Sequence, residues 1–169
     1  MTGGGSGSST LGKTVAGGST DVSWNGLKWG NKYVLAGAGT FTKLSAYLAD
    51  NPAVSGGESF RAAIYADVSG APGALVAQSS VVTVADGQPA GWVDFPISPA
   101  VSLPAGSYWL VMQGGPSSHG AIRYGDITSR GAEAWNADAF AAGLSNPFGT
   151  ATSGTWSWSL YATYAPVVS

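Results

Sequence analysis

Charge is scarce in this sequence: seven Lys and Arg and nine Asp and Glu make up 9% of 169 residues, where an ordinary soluble domain carries about 25%. Two Glu and four Lys cannot supply the solvated face of several amphipathic helices, so little helix is expected. The formal net charge is −2 and the basic residues stand singly, which leaves no electrostatic footprint for nucleic acid. Cysteine is absent, excluding disulfides, thiolate catalysis and Cys-ligated metal. Long apolar runs are missing too, so no membrane insertion is expected, and no basic segment followed by an apolar stretch marks a secretory signal peptide.

What the chain has in abundance is glycine, 26 residues, with seven Trp and seven Tyr. From Leu11 onward, short apolar stretches are broken repeatedly by Gly, Pro, Asn or Asp, the spacing of an all-β fold. In residues 40–48, Leu44, Ala46 and Leu48 share one face and Lys43, Ser45 and Tyr47 the other. In residues 59–67, Phe60, Ala62, Ile64 and Ala66 oppose Arg61, Ala63 and Tyr65. Both patterns predict half-buried strands. Trp156, Trp158, Leu160, Ala162 and Tyr164 alternate with Ser157, Ser159, Tyr161 and Thr163, predicting one strand whose register is fixed, because a one-residue slip would put its tryptophans in water.

Further strands are predicted at residues 11–16, 32–36, 75–84, 91–97, 107–113 and 121–124. That makes roughly nine, enough for an antiparallel two-sheet β-sandwich. Ser69-Gly70-Ala71-Pro72-Gly73 carries the chemistry of a compact reversal, and Leu103-Pro104-Ala105-Gly106 repeats it. Residues 125–154 show no clean period and predict a long ordered loop, with a short helix within 132–142 as the alternative. Residues 1–10, MTGGGSGSST, hold too few apolar side chains to repay ordering and predict a flexible arm or linker. Residues 11–165 are expected to form the sandwich domain.

Catalytic chemistry finds little support. The single histidine, His119, lies in a Gly/Ser-rich stretch, and no G-x-S-x-G elbow accompanies it. Asp50, Asp67 and Asp86 precede turns and predict solvated turn carboxylates, while Asp94 predicts a water-facing strand residue. Asp67 with Ser69 and Gly70 lacks the further carboxylates a Ca²⁺ site requires. No catalytic residue, metal or cofactor is expected.

The aromatic excess suggests a different use. Sugars present apolar C–H faces that stack on exposed rings, while amides and carboxylates bind their hydroxyls. Two patches have this composition: Trp24 and Trp29 around Asn25, and Tyr124, Asp126, Trp135 and Asn136 with Asp138 nearby. Trp92, Trp109 and Trp158, by contrast, read as core.

The ordered succession LGKT (11–14), Lys32-Tyr33, Gly39-Thr40 before Lys43-Leu44-Ser45, FRAAIYAD (60–67), SGAPGALVAQSS (69–80), GWVDFP (91–96), LPAGSYWLV (103–111), RYGD (123–126), LSNPFG (144–149) and SLYATY (159–164) resembles a domain of actinobacterial phage structural and minor tail proteins. The pattern is shared with some secreted bacterial proteins bearing carbohydrate-binding-like jelly rolls. The resemblance spans nearly the whole chain after residue 10 and implies a jelly-roll sandwich displayed on a virion or cell surface. It implies a non-enzymatic virion protein, either capsid decoration or minor tail component, with other virion proteins as partners and repeated attachment favouring a symmetric homo-oligomer. The alternative is a carbohydrate-binding module or adhesin using Tyr124, Trp135 and their polar neighbours on a cell-wall polysaccharide. The two readings can coexist, a virion protein also gripping a host-surface glycan.

Overall fold

The computed structural model of the protein describes residues 7–22, 26–117, 120–126 and 132–168, with the side chains of residues 22, 123, 124 and 126 outside that description. Trp24 and His119 fall outside the described residues. The strands, in chain order, are β1 (Ser9–Gly12), β2 (Ser19–Val22), β3 (Leu27–Leu35), β4 (Gly39–Asp50), β5 (Glu58–Val68), β6 (Ala71–Gln78) and β7 (Val82–Val84). There follow β8 (Gly91–Leu103), β9 (Gly106–Gly114), β10 (Gly120–Asp126), β11 (Glu133–Ala137), β12 (Thr152–Gly154), β13 (Trp156–Trp158) and β14 (Leu160–Pro166), with one 3₁₀ turn at Phe140–Ala142. Among the described residues no helix is long and apolar enough to cross a membrane.

The strands form two antiparallel sheets. The first runs β1-β14-β4-β10-β13, with β8 on the other edge of β4 and β2 beside β10. The second runs β12-β11-β3-β9-β5-β6, with β7 also on β5. Between them lie Trp29, Phe41, Leu44, Leu48, Phe60, Ile64, Phe95, Leu110, Met112, Trp158 and Leu160, all buried, each apolar side chain of this size contributing about 1.5–3 kcal/mol by leaving water. This is the predicted all-β sandwich. The strand count exceeds the expected nine because β2, β11 and β12 were not foreseen and two predicted strands are broken.

The first break divides residues 75–84 into β6 and β7. Ser79 sits between them, its Oγ accepting the Ala62 N–H at 2.9 Å and donating to the Ser80 carbonyl at 2.7 Å. The second divides residues 156–164 at Ser159, which is fully buried and whose Oγ accepts the Gly17 N–H at 2.8 Å. The inward alternation of Trp158, Leu160 and Ala162 survives this interruption. In β4 the predicted inward set holds, and a bulge between Phe41 and Lys43 brings Phe41, otherwise out of phase, onto the same side.

The β5–β6 reversal is a two-residue turn, Ser69-Gly70, with φ of 52° and 90°, the all-positive geometry that matches strand twist. Asp67 supports it: its carboxylate accepts the Gly70 N–H at 3.1 Å and the Trp109 indole N–H at 2.8 Å. The sandwich begins at Ser9 rather than residue 11, since Ser9 and Thr10 pair with Tyr164 and Thr163.

Strand β5 is not half-buried, as its alternation had predicted. Ala63 and Tyr65, on the outward side, are as buried as Phe60 and Ile64. They join Trp109, Val111, Ala134 and Phe148 in a second apolar cluster on the outer face of the second sheet. The cover is the segment 138–151, so the stretch predicted to be a loop contains strand β11 followed by a strap across the sheet. Trp109 is thus core, though of this second cluster, and Trp92 is not core at all: it lies exposed on the outer face of the first sheet.

Candidate functional site

Strand β11 alternates, with Glu133 and Trp135 directed between the sheets and Ala134 and Asn136 directed outward. Its neighbour β12 pairs Glu133 with Gly154 and Trp135 with Thr152. At Thr155 the chain leaves the second sheet and enters the first, where Trp156 of β13 lies opposite Asp126 of β10. This crossover frames a cleft of about 270 Å³ lined by Glu133, Trp135, Gly154, Thr155 and Trp156.

Two buried polar side chains hold the crossover. The Glu133 carboxylate accepts the Trp156 N–H at 2.7 Å. Asn31 of β3, opposite Glu133 in register, donates to the carbonyls of Trp156 at 2.8 Å and Ala132 at 2.9 Å and accepts the Trp158 N–H at 2.8 Å. Both are nearly inaccessible to solvent. Gly154 is dictated by this arrangement, because a Cβ there would collide with the Glu133 carboxylate.

Burial raises the Glu133 carboxyl above its ordinary pKa, against the opposing hydrogen bonds of Trp156 and Trp158. Behind the cleft the rings form a ladder: Trp156 meets Trp158 at 5.6 Å and 73°, and Trp158 meets Trp29 at 5.6 Å and 54°. Trp135 and Trp156 are only partly buried and pack on the main core from its rim. The cleft therefore offers two partly open indoles beside a buried carboxylate, on a frame fixed by backbone hydrogen bonds.

The sequence-predicted residues divide across this geometry. Trp135 lines the cleft, and the backbone of Asp126 lies beside Trp156, with Tyr124 two residues away opposite Trp158. Asn136 is a correction. As the strand neighbour of Trp135 it faces the opposite way, and its amide donates to the Phe148 carbonyl at 2.9 Å and the Thr150 carbonyl at 3.1 Å, anchoring the strap. Asp138 serves the strap as well, accepting Lys28 Nζ at 2.8 Å. Trp29 is also corrected: it is completely buried at the inner end of the ladder and offers no face to a ligand.

Glu133, Trp156, Thr155 and Asn31 are site residues that the sequence reading missed. The period-two pattern of β11 was obscured because a glutamate, Glu133, fills one inward position and an apolar alanine, Ala134, fills an outward one. Among the described residues no group of three or more His, Asp or Glu could hold a metal ion.

No family model matches the chain, and no curated protein matches it. Among solved structures it is similar to the clostridial cysteine protease Cwp84 after propeptide cleavage, with 12% identity and a TM-score of 0.65 over 95% of this chain and 40% of that one. It is likewise similar to a structure of the cysteine protease and lectin-like domains of Cwp84, a surface layer associated protein of Clostridium difficile, with 12% identity and a TM-score of 0.66 over 95% of this chain and 36% of that one. The chain thus spans less than half of either structure, and at this identity the likeness is one of fold.

Proposed function

We propose that this chain is a non-enzymatic carbohydrate-binding module whose glycan enters the cleft at the β12–β13 crossover. The observation that carries the reading is the pairing of two partly open indoles, Trp135 and Trp156, with the buried carboxylate of Glu133. An apolar sugar face stacks on such rings, and a carboxylate held in place by backbone hydrogen bonds orients a hydroxyl without further ordering. The sandwich shared with a surface protein described as having a lectin-like domain supports the same reading, as does the jelly-roll arrangement that the sequence resemblance implies.

A raised carboxyl pKa in a cleft is also what a general acid uses. Glycoside hydrolysis, however, takes two carboxyl groups flanking the scissile bond, and Glu133 is the single carboxyl among the described residues lining the cleft. Binding is the chemistry this arrangement suits. Titration of cell-wall polysaccharides against intrinsic tryptophan fluorescence tests it: a saturable change is expected with at least one glycan and is weakened about tenfold or more in Trp156→Ala. A flat response across a broad panel would refute it. The virion setting rests on the sequence resemblance, and mass spectrometry of purified phage particles tests that, the chain's absence from them removing it.

A further inference from the structure

The outward face of the first sheet carries an aromatic cluster that the cleft does not use. Tyr47 of β4 and Trp92 of β8 are directly opposed, with rings 5.4 Å apart at 87°. On its other side Trp92 meets Tyr161 of β14 at 4.9 Å and 67°. The indole therefore reaches across β4, and it can do so because Ser45, which lies between Asp94 and Tyr161 in register, is small. Ser45 is completely buried although it points outward, roofed by these larger neighbours. Trp92 keeps 36% of its surface exposed.

A polar group adjoins the rings. Asp94 accepts Lys43 Nζ at 2.8 Å on one carboxylate oxygen and Ser45 Oγ at 2.7 Å on the other, and the Lys43 and Asp94 side chains are 37% and 53% exposed. The ammonium retains N–H donors and the carboxylate retains lone pairs for a ligand. Hydrogen bonding to Lys43 holds the Asp94 carboxyl below its ordinary range, so it stays an acceptor at neutral pH.

We propose that this platform is a second carbohydrate-binding face, independent of the cleft, which takes a pyranose of a neutral polysaccharide chain. The sugar's C–H face lies on Trp92, and adjacent hydroxyls divide between the Lys43 ammonium and the Asp94 carboxylate. Edge contacts from two tyrosines fix the indole before binding, which lowers the ordering cost. A protein partner fits less well. Three rings fall far short of the roughly 800 Å² per partner of a stable interface, and a dry apolar surface would strip water from the Lys43–Asp94 pair without replacing its hydrogen bonds. A hydroxylated ligand replaces them.

The test is an NMR titration of the ¹⁵N-labelled chain following the indole N–H signals, with soluble hexasaccharides of glucose, xylose, mannose and N-acetylglucosamine as probes. The Trp92, Trp135 and Trp156 signals are assigned from their single-Ala variants. The Trp92 signal is expected to shift saturably with at least one hexasaccharide, about tenfold more weakly in Tyr161→Ala and in Asp94→Asn, and unchanged in affinity in Trp135→Ala. A Trp92 signal unmoved by all four sugars would overturn the proposal. If the Trp135 or Trp156 signal responds in that same titration, the cleft reading stands while the platform falls. A Trp92 signal that moves with protein concentration in the absence of sugar would also overturn it, showing a self-association face.

Discussion

Lys28 and Asp138 form an ion pair of 2.8 Å whose side chains are 0% and 5% exposed. The pair fastens the 138–151 strap to the outward side of β3. Lys28 Nζ also donates to the Phe148 carbonyl at 2.9 Å and lies 4.2 Å from the centre of the Phe148 ring. Asp138 in turn accepts the Ser145 N–H at 2.9 Å and hydroxyl at 2.8 Å. Gln113 and Arg61 extend the network, Gln113 donating to the carbonyls of Asp138 and Gly143 and accepting from Arg61 at 2.7 Å.

Removing one member of a buried pair strands the other. Lys28→Met is expected to cost about 3–5 kcal/mol, most of it from an Asp138 carboxylate left without its cation. Urea denaturation of the variant beside wild type measures this, and a loss below about 1 kcal/mol would show that the pair is dispensable.

Phe148 closes the second cluster from above, meeting Tyr65 edge-on at 5.1 Å and 85°. Phe148→Ala is expected to cost about 3–5 kcal/mol and to raise amide exchange through residues 138–151 while the β4–β8 pairing stays protected. Uniform exchange across both sheets would contradict the strap as a separate layer.

Two buried carboxyls give stability opposite pH dependences in adjoining windows. Burial raises Glu133 above its ordinary 4.5, so the folded protein binds the extra proton first and its penalty is relieved as pH falls from the raised value toward 4.5. Burial also opposes ionisation of Asp138, but Lys28 and Ser145 outweigh it and hold that carboxyl below 3.8. Its stabilisation is present above 3.8 and lost as pH falls through the lower folded value. Urea midpoints against pH are expected to lose the mild-acid gain in Glu133→Gln and part of the acid loss in Asp138→Asn.

Glycine positions test the close approaches. Gly154→Ala drives a methyl into the Glu133 carboxylate, and Gly30→Ala drives one into the Leu110 carbonyl. Each is expected to cost about 1–3 kcal/mol. Only Gly154→Ala should alter glycan binding, because Gly30 lies outside the cleft; equal effects on binding would argue against Glu133 as its polar floor.

The sheet architecture was legible where one side chain in two is apolar, as in residues 40–48 and 156–164. It was illegible where tertiary cover reverses the rule. Tyr65 and Ala63 looked outward and solvated because nothing local announces that Phe148 returns to cover them. Trp92 was read as core from its aromatic character alone, although its two-residue spacing from the water-facing Asp94 puts both on the outward face of β8, with Val93 and Phe95 inward. Trp135 was found from its aromatic character, while Glu133 was passed over, since a buried carboxyl is recognisable only once the N–H it accepts is known.

Isothermal titration of the wild-type chain and of Trp156→Ala with a cell-wall oligosaccharide tests the central claim most directly. Saturable binding by the wild type, weakened about tenfold or more in the variant, is the predicted result. Unchanged affinity in a folded Trp156→Ala chain would contradict it.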